Sequence, residues 1–178
     1  LGARRLDAEG RSHPVETRHI AREPRDMPTA KGLDRRIAEA VQQALGETGG
    51  DLLVFLPGRG EIRAAANRLG KIDADVVALH AGAPDADQRR ALAPGDGRRV
   101  ILATNVAETS LTVPGVTAVI DSGLERRTRR RNGRTVLALE AIARSAADQR
   151  SGRAGRTAPG LCLRLWGAQA PLAPTTPP

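Results

Sequence analysis

The chain has 178 residues, which is enough for one α/β domain with its own core. Its formal net charge is +8, from 28 lysines and arginines against 20 carboxylates, and this excess favours an anionic partner. With one phenylalanine and one tryptophan, the chain is a poor candidate for an RNA module that stacks bases on aromatic side chains, and its single cysteine excludes an internal disulfide. The sequence has no apolar run long enough for a membrane span, so we expect a cytoplasmic protein with no membrane partner.

Short apolar runs alternate with amphipathic stretches along the chain, a pattern typical of a parallel α/β sheet with helices on both faces. Strands are predicted at 15–20, 51–57, 75–80, 98–104, 116–122 and 160–166, and helices at 32–45, 60–69, 84–92 and 146–155. Ligands of such sheets bind beyond the carboxyl ends of the strands, where we expect the candidate sites.

Three segments are expected along the chain. Residues 1–9 are predicted to be the remnant of an interdomain linker, and residues 10–166 to form the domain. Residues 167–178 are rich in proline and are predicted to be a disordered tail. Cys162 lies in the apolar stretch GLCLRLW and is predicted to be a small core residue.

An arginine-rich stretch from Leu124 to Leu139 predicts a β-hairpin that leaves the sheet, because Asn132-Gly133 is a strong two-residue turn signal. Between residues 122 and 156 there are ten arginines against three carboxylates, so this segment carries +7 of the net charge. A GC-rich genome would explain many arginines, but not their clustering here.

The eight residues QRSGRAGR contain a second basic feature. If they are helical, spacings of four and three place Gln149, Arg153 and Arg156 on one face. Two guanidinium groups and an amide at one point suit a γ-phosphate, whose oxygens gain negative charge during transfer. From the residue types alone, a solvated basic helix is an equal alternative.

The other positions of this stretch have different predicted roles. Gly152 and Gly155 lack side chains and so let another backbone or a ligand come close. Arg150 lies off the shared face and is predicted to be structural. Asp121, at the end of the strand VTAVID, is also predicted to be structural.

Polar residues follow the predicted strand 98–104 directly. Thr104, Asn105, Thr109 and Ser110 surround a predicted helix N-terminus, where backbone N–H groups favour phosphate. The same residue types are ordinary helix caps and turn formers, so this signal is weak by itself.

A phosphate loop of the form GxxxxGK[ST] is absent from the sequence, in which the single Gly-Lys pair, Gly70-Lys71, precedes isoleucine. The chain is therefore not expected to cradle a nucleoside triphosphate by itself. If the arginines of QRSGRAGR meet a γ-phosphate, another domain must bind that nucleotide.

Several stretches together resemble the DEAH-box helicases. QRSGRAGR resembles their motif VI, ATNVAETSLTVPGVTAVIDSG their motif V, and LLVFLPGRGEI their motif IV. GRSHPVETRH resembles the opening of their second RecA-like domain, and LHAGAPDADQRRAL the segment between motifs IV and V. These matches cover residues 10–166 in the family's order, and LPGRGEI and APGLCLRL are most similar to the bacterial HrpB type.

This resemblance implies a RecA-like, P-loop NTPase-type fold and the second RecA-like domain of an ATP-dependent RNA helicase. It implies that Gln149 positions the attacking water and that Arg153 and Arg156 contact the γ-phosphate, with Gly152 also at the ATP site. ATP and Mg²⁺ would be bound mainly by a first RecA-like domain. Because phosphate loop and DEAH box are absent, this chain alone is expected to be inactive, and no metal ligand is predicted in it.

The resemblance also implies contacts with single-stranded RNA, or DNA, through its backbone. The candidate RNA contacts in the stretch that resembles motif V are Thr104, Asn105 and Ser110. The candidate in the stretch that resembles motif IV is Arg59. The predicted hairpin occupies the position of a family element beside the RNA, and its candidate contacts are Arg126, Arg127, Arg129, Arg130, Arg131 and Arg134.

A different class of function stays open from the sequence. The chain could be a stand-alone RNA-binding or regulatory module that uses only the basic hairpin, without catalysis. A phosphate loop and DEAH box in the neighbouring reading frame would favour the helicase instead. A generic Rossmann-type enzyme is disfavoured because no glycine fingerprint follows the first strand.

Overall fold

The computed structural model describes residues 12–109 and 111–174. Its centre is a six-stranded parallel sheet, as the predicted fold class requires. The sheet strands are β1 (Val15–His19), β2 (Asp51–Phe55), β3 (Asp75–Leu79), β4 (Arg99–Ala103), β5 (Val116–Asp121) and β8 (Gly160–Arg164), in the spatial order β1-β8-β5-β2-β4-β3. Each lies within two residues of its predicted bounds.

Helices cover both faces of this sheet, because β2 and β4 are apolar on both sides. Helices α1 (Leu33–Glu47) and α2 (Arg59–Leu69) pack on the first face. The second face is covered by α3 (Asp85–Leu92), by the segment 104–115, and by a 3-10 turn, Arg153–Gly155, that continues α4 (Arg144–Gly152). No helix in the described part of the chain is long and apolar enough for a membrane span.

Cys162 lies inside the core of the second face, beside Phe55 and Val119, with no exposed surface. Burial raises the pKa of its thiol to about 12, so the thiol stays protonated at neutral pH. Its position confirms the prediction of a small core residue.

Helix α4 runs antiparallel to the sheet strands, since it must lead into β8, which is parallel to the others. The Gly155 carbonyl accepts a hydrogen bond from the His13 N–H at 2.7 Å, and the Gly160 N–H donates to Pro14 at 3.0 Å. Residues 153–156 therefore lie beside the amino ends of β1 and β8. The expectation that all candidate residues lie beyond the carboxyl ends is right for Thr104 and wrong here.

The predicted hairpin is formed by β6 (Leu124–Arg131) and β7 (Arg134–Ala141), which pair antiparallel. Asn132 and Gly133 have φ of 49° and 73°, as the predicted two-residue turn requires. Leu124 and Leu139 pack against the core of the first face. The distal half of the hairpin is exposed.

Residues 167–174 are ordered, in contrast to the predicted disordered tail. The Gly167 N–H donates to Asp26 at 2.9 Å, and the Ala173 N–H donates to Ile142 at 2.9 Å. Leu172 packs beside Trp166, so both backbone and apolar side chains find partners on the domain. Residues 1–9 of the predicted linker lie outside the described residues, as do residues 10–11 and 175–178.

Arg99 holds three elements together at the amino end of the sheet. Its side chain is 4% exposed, and its Nη2 lies 2.9 Å from Asp51 Oδ2. The guanidinium also donates to the carbonyls of Ala93 at 2.6 Å and Pro114 at 3.1 Å, and to that of Arg90. The start of β2, the end of α3 and the approach to β5 are thereby joined.

Replacing Arg99 by methionine is expected to lower the free energy of unfolding by about 3 kcal/mol, because a largely buried carboxylate and several carbonyls lose their donor. Urea denaturation of the chain measures the loss. Arg90→Met is the control, since the Arg90 and Asp75 side chains are 49% and 54% exposed, and less than about 1 kcal/mol is expected. Equal losses in the two variants would contradict the assigned role of Arg99.

Candidate functional site

The segment 104–111, of which the structure describes 104–109 and 111, leaves the carboxyl end of β4, and its described residues pack on the second face. The half-buried Thr104 donates its N–H to Leu79 at 3.2 Å, and Asn105 is exposed. Ser110 lies outside the described residues. Here a helix N-terminus was predicted, but the described residues of the segment form a single short 3-10 turn, Asn105–Ala107.

Arg150 lies beneath this segment with no exposed surface. Its Nε is 3.1 Å from Glu108 Oε1, and its Nη1 is 2.8 Å from Asp121 Oδ1. The guanidinium carbon lies 4.8 Å from the centroid of the Phe55 ring. The position agrees with the structural roles predicted for Arg150 and Asp121. Glu108, which sequence reasoning did not single out, completes the cluster.

The charges of this cluster depend on one another. Burial by itself would lower the pKa of Arg150, but Asp121 and Glu108 raise it, so the guanidinium stays charged. Burial raises the pKa of Glu108, and Arg150 opposes that rise. Arg150 Nη2 and Asp121 Oδ2 have no hydrogen-bond partner among the described residues, so each charge relies on few contacts.

Arg153 is also turned into the protein. Its Nε lies 2.9 Å from the Glu108 carbonyl oxygen and its Nη1 2.8 Å from that of Leu111, and the residue is 6% exposed. Burial lowers the pKa of Arg153, as does the nearby charge of Arg156. The second arginine of QRSGRAGR therefore holds the segment 104–111 through its backbone, as Arg150 holds it through a side chain.

Gln149 and Arg156 are exposed, and within residues 12–109 and 111–174 neither side chain has a hydrogen bond or an ion pair. Arg153 is separated from these two residues by its burial, because its guanidinium binds the carbonyls of Glu108 and Leu111 instead of facing solvent. Of the three candidate phosphate contacts, Gln149 and Arg156 have their donors available to a ligand.

The two glycines of this stretch differ in their surroundings. A Cβ at Gly155 would lie 2.5 Å from the His13 carbonyl oxygen and 2.7 Å from Val15 Cγ2. A Cβ at Gly152 would meet nothing within 4 Å. As predicted, Gly155 lets another backbone come close. Gly152 borders open space, so a ligand could approach its backbone.

Other candidate residues gather at the carboxyl end of the sheet. Arg59 begins α2, and its guanidinium lies over Gly82, where a Cβ would be 2.0 Å from Nη2. The Gly82 N–H donates to His80 Nδ1 at 3.2 Å. Burial lowers the pKa of His80, and the charge of Arg59 lowers it further. Sequence reasoning missed His80, although a histidine directly after a buried strand was a visible signal.

Half of the candidate arginines in the hairpin are neutralised. Arg127 pairs with Glu125 at 2.5 Å and Arg129 with Glu140 at 2.6 Å, while Arg126 pairs with Glu61 of α2. The exposed arginines nearest the turn have no ion pair or hydrogen bond to any described residue; they are Arg130, Arg131 and Arg134. The unpaired positive charge is therefore concentrated at the end of the hairpin.

Comparisons with known proteins identify the family of this fold. The family model described as "Helicase conserved C-terminal domain" matches residues 36–158. The ATP-dependent RNA helicase HrpA of Escherichia coli is 40% identical over 168 residues, which are 90% of this chain and 13% of that protein. The ATP-dependent RNA helicase HrpB of the same organism is 41% identical over 165 residues, 89% of this chain and 20% of that protein.

A solved structure shows the same architecture. The crystal structure of the Escherichia coli DEAH/RHA helicase HrpB superposes with a TM-score of 0.82 and 37% sequence identity, over 95% of this chain and 22% of that one. The chain thus spans about an eighth to a fifth of the length of these relatives.

Gly155→Ala is expected to lower the free energy of unfolding by about 1–3 kcal/mol, because the new methyl group would collide with the His13 backbone. Gly152→Ala is the matched control and is expected to leave stability unchanged or raise it slightly, since alanine favours helix. Thermal denaturation of both variants measures the difference. Equal stability of the two variants would refute the close approach at Gly155.

Proposed function

The chain belongs to the family of helicase conserved C-terminal domains, and we propose that it acts as the second RecA-like domain of a DEAH-box ATP-dependent RNA helicase. The observation that carries this proposal is the separation of two groups of candidate contacts. Gln149 and Arg156 are exposed on the second face, whereas Arg59, Thr104 and the hairpin lie at the carboxyl end of the sheet. Two anionic ligands can therefore be bound at once.

The residues at the first location fit the phosphates of ATP presented by another domain. Arg156 offers a guanidinium with no competing carboxylate among the described residues, and Gln149 offers an amide. The open space at Gly152 admits a ligand next to the backbone. No three His, Cys, Asp or Glu side chains of the described residues gather into a metal-binding group, so no ligand of Mg²⁺ is assigned to this chain.

In this proposal the chain contributes charge and orientation to ATP hydrolysis. ATP supplies the γ-phosphate, whose equatorial oxygens gain negative charge during transfer. Arg156 donates to these oxygens, and Gln149 orients the attacking water. Both side chains reach the nucleotide when the two RecA-like domains close around it, since the phosphate loop belongs to the partner domain.

Arg153 is proposed as a second γ-phosphate contact that is available only in the closed form. In this structure its guanidinium binds the carbonyls of Glu108 and Leu111. To reach a phosphate, it has to exchange at least part of these hydrogen bonds for phosphate oxygens. A charged phosphate is a stronger acceptor than a neutral carbonyl, which favours the exchange.

The residues at the second location fit the backbone of single-stranded RNA. Thr104, Asn105 and Ser110 are proposed as phosphate contacts, with Arg59 beside them. In the hairpin, the principal contacts are the unpaired Arg130, Arg131 and Arg134. Arg126, Arg127 and Arg129 contribute after exchanging a carboxylate for a phosphate. The low aromatic content favours such backbone contacts over base stacking.

Arg156→Ala in the full-length protein is expected to lower the kcat of RNA-stimulated ATP hydrolysis by at least about 100-fold, because a donor to the transition-state oxygens is lost. Arg144→Ala is the control: Arg144 is an exposed arginine at the start of α4, the helix that leads towards Arg156, and its loss should change kcat less than about twofold. Steady-state ATPase assays with saturating RNA measure both values. Full activity of the Arg156 variant would refute the proposed role.

Joint replacement of Arg130, Arg131 and Arg134 by alanine is expected to weaken single-stranded RNA binding. It should also reduce the slope of log affinity against log salt by about 2, at roughly 0.7 per phosphate contact. Fluorescence anisotropy at several salt concentrations measures the slope. The control replaces Arg22, Arg25 and Arg63, which are exposed, unpaired among the described residues and outside the hairpin. An equal slope change in the control would reduce the effect to net charge.

A further inference from the structure

Among the described residues, the hydrogen bonds between the segment 104–111 and the residues 149–156 are donated by two arginines. Arg150 binds the Glu108 carboxylate, and Arg153 binds the Glu108 and Leu111 carbonyls. We call these contacts the arginine seam. One side of the seam carries proposed RNA contacts, and the other carries proposed ATP contacts, so the seam lies between the two ligands.

The proposed ligand contacts are close in sequence to the residues of the arginine seam. Asn105 is three residues before Glu108, and Gln149 directly precedes Arg150. Thr104 binds the end of β3, and Arg150 binds Asp121 at the end of β5, so the sheet anchors both sides. A displacement of one side can reach the other side without crossing a flexible loop.

Within the arginine seam, the contact between the Arg150 and Glu108 side chains depends on the identity of both residues. Arg150 has no exposed surface, and its charge is held by two carboxylates, Asp121 on the sheet and Glu108 on the crossing segment. If the segment moved away alone, Arg150 would keep one buried partner and lose the other, which is strongly unfavourable. The segment and α4 are therefore expected to move together.

Resting on the proposed function, we infer that Arg150 is a positioning residue that couples the two ligands through Glu108. RNA bound at Thr104 and Asn105 fixes the crossing segment, Glu108 fixes Arg150, and α4 then holds Gln149 and Arg156 in place for ATP. Arg150 touches neither ligand. Because coupling between binding sites is reciprocal, bound nucleotide must favour RNA binding by the same factor.

The test measures this factor in the full-length protein. RNA affinity is determined by anisotropy with and without a non-hydrolysable ATP analogue, and the ratio of the two affinities is the coupling factor. Glu108→Ala is expected to reduce the coupling factor by roughly fivefold, within the two- to thirtyfold range typical of coupling residues. The separate affinities for RNA and for the analogue should each stay within about twofold of wild type, because no direct contact is lost.

Two further variants sharpen the result. Glu108→Gln keeps an acceptor for the Arg150 Nε and should restore part of the coupling; it also decides the matter if Glu108→Ala does not fold. Glu47→Ala is the control, because it removes a surface carboxylate that binds Arg18 at 2.7 Å and should leave the coupling unchanged. A wild-type coupling factor in Glu108→Ala, or in Glu108→Gln where the alanine variant does not fold, would overturn the inference.

Failure of the proposed function gives a different result. If wild-type protein binds no RNA or no ATP analogue, the proposed function is overturned before coupling is measured. A readout without variants is amide hydrogen exchange in the wild-type protein. The analogue should slow exchange in residues 105–109, and RNA should slow exchange in residues 150–155. Protection confined to the segment that touches each ligand would contradict the coupling.

Discussion

A buried guanidinium needs negative partners, and this requirement at Arg150 organises the second face of the sheet. Its two carboxylates come from the end of β5 and from the segment that crosses the face, so three stretches distant in sequence meet at one charge. The Phe55 ring closes the cluster from the core side. Arg150 thereby links α4 to the crossing segment and to the sheet, and Arg153 adds a second link to the same segment.

The arginines of this chain have different structural roles, and the net charge does not distinguish between these roles. Arg99 and Arg150 are internal and hold elements together. The hairpin arginines near the sheet are neutralised by carboxylates, and those near the turn are not. The net charge of +8 therefore does not say which arginines are free to bind an anion at the surface. The position of each arginine in the fold decides which anion it can contact.

Much of the fold could be predicted because its signals are local. Apolar runs located the sheet strands, and Asn132-Gly133 located the hairpin turn. The inward turn of Arg153 could not be predicted, since its carbonyl partners lie 45 and 42 residues away. The same applies to Glu108, whose importance depends on a distant arginine. Order in residues 167–174 was missed because proline content says nothing about available backbone partners.

The length of the hairpin limits the electrostatic effect that the arginines near its turn have on the rest of the domain. Each strand of the hairpin has eight residues and extends about 26 Å at roughly 3.3 Å per residue. The Debye length at physiological ionic strength is about 8 Å, so the unpaired arginines near the turn lie more than about two Debye lengths from the base of the hairpin. Their field is therefore strongly screened at the base of the hairpin, where Leu124 and Leu139 pack against the core. An influence of the hairpin end beyond that base therefore relies on the stiffness of the two-stranded ribbon.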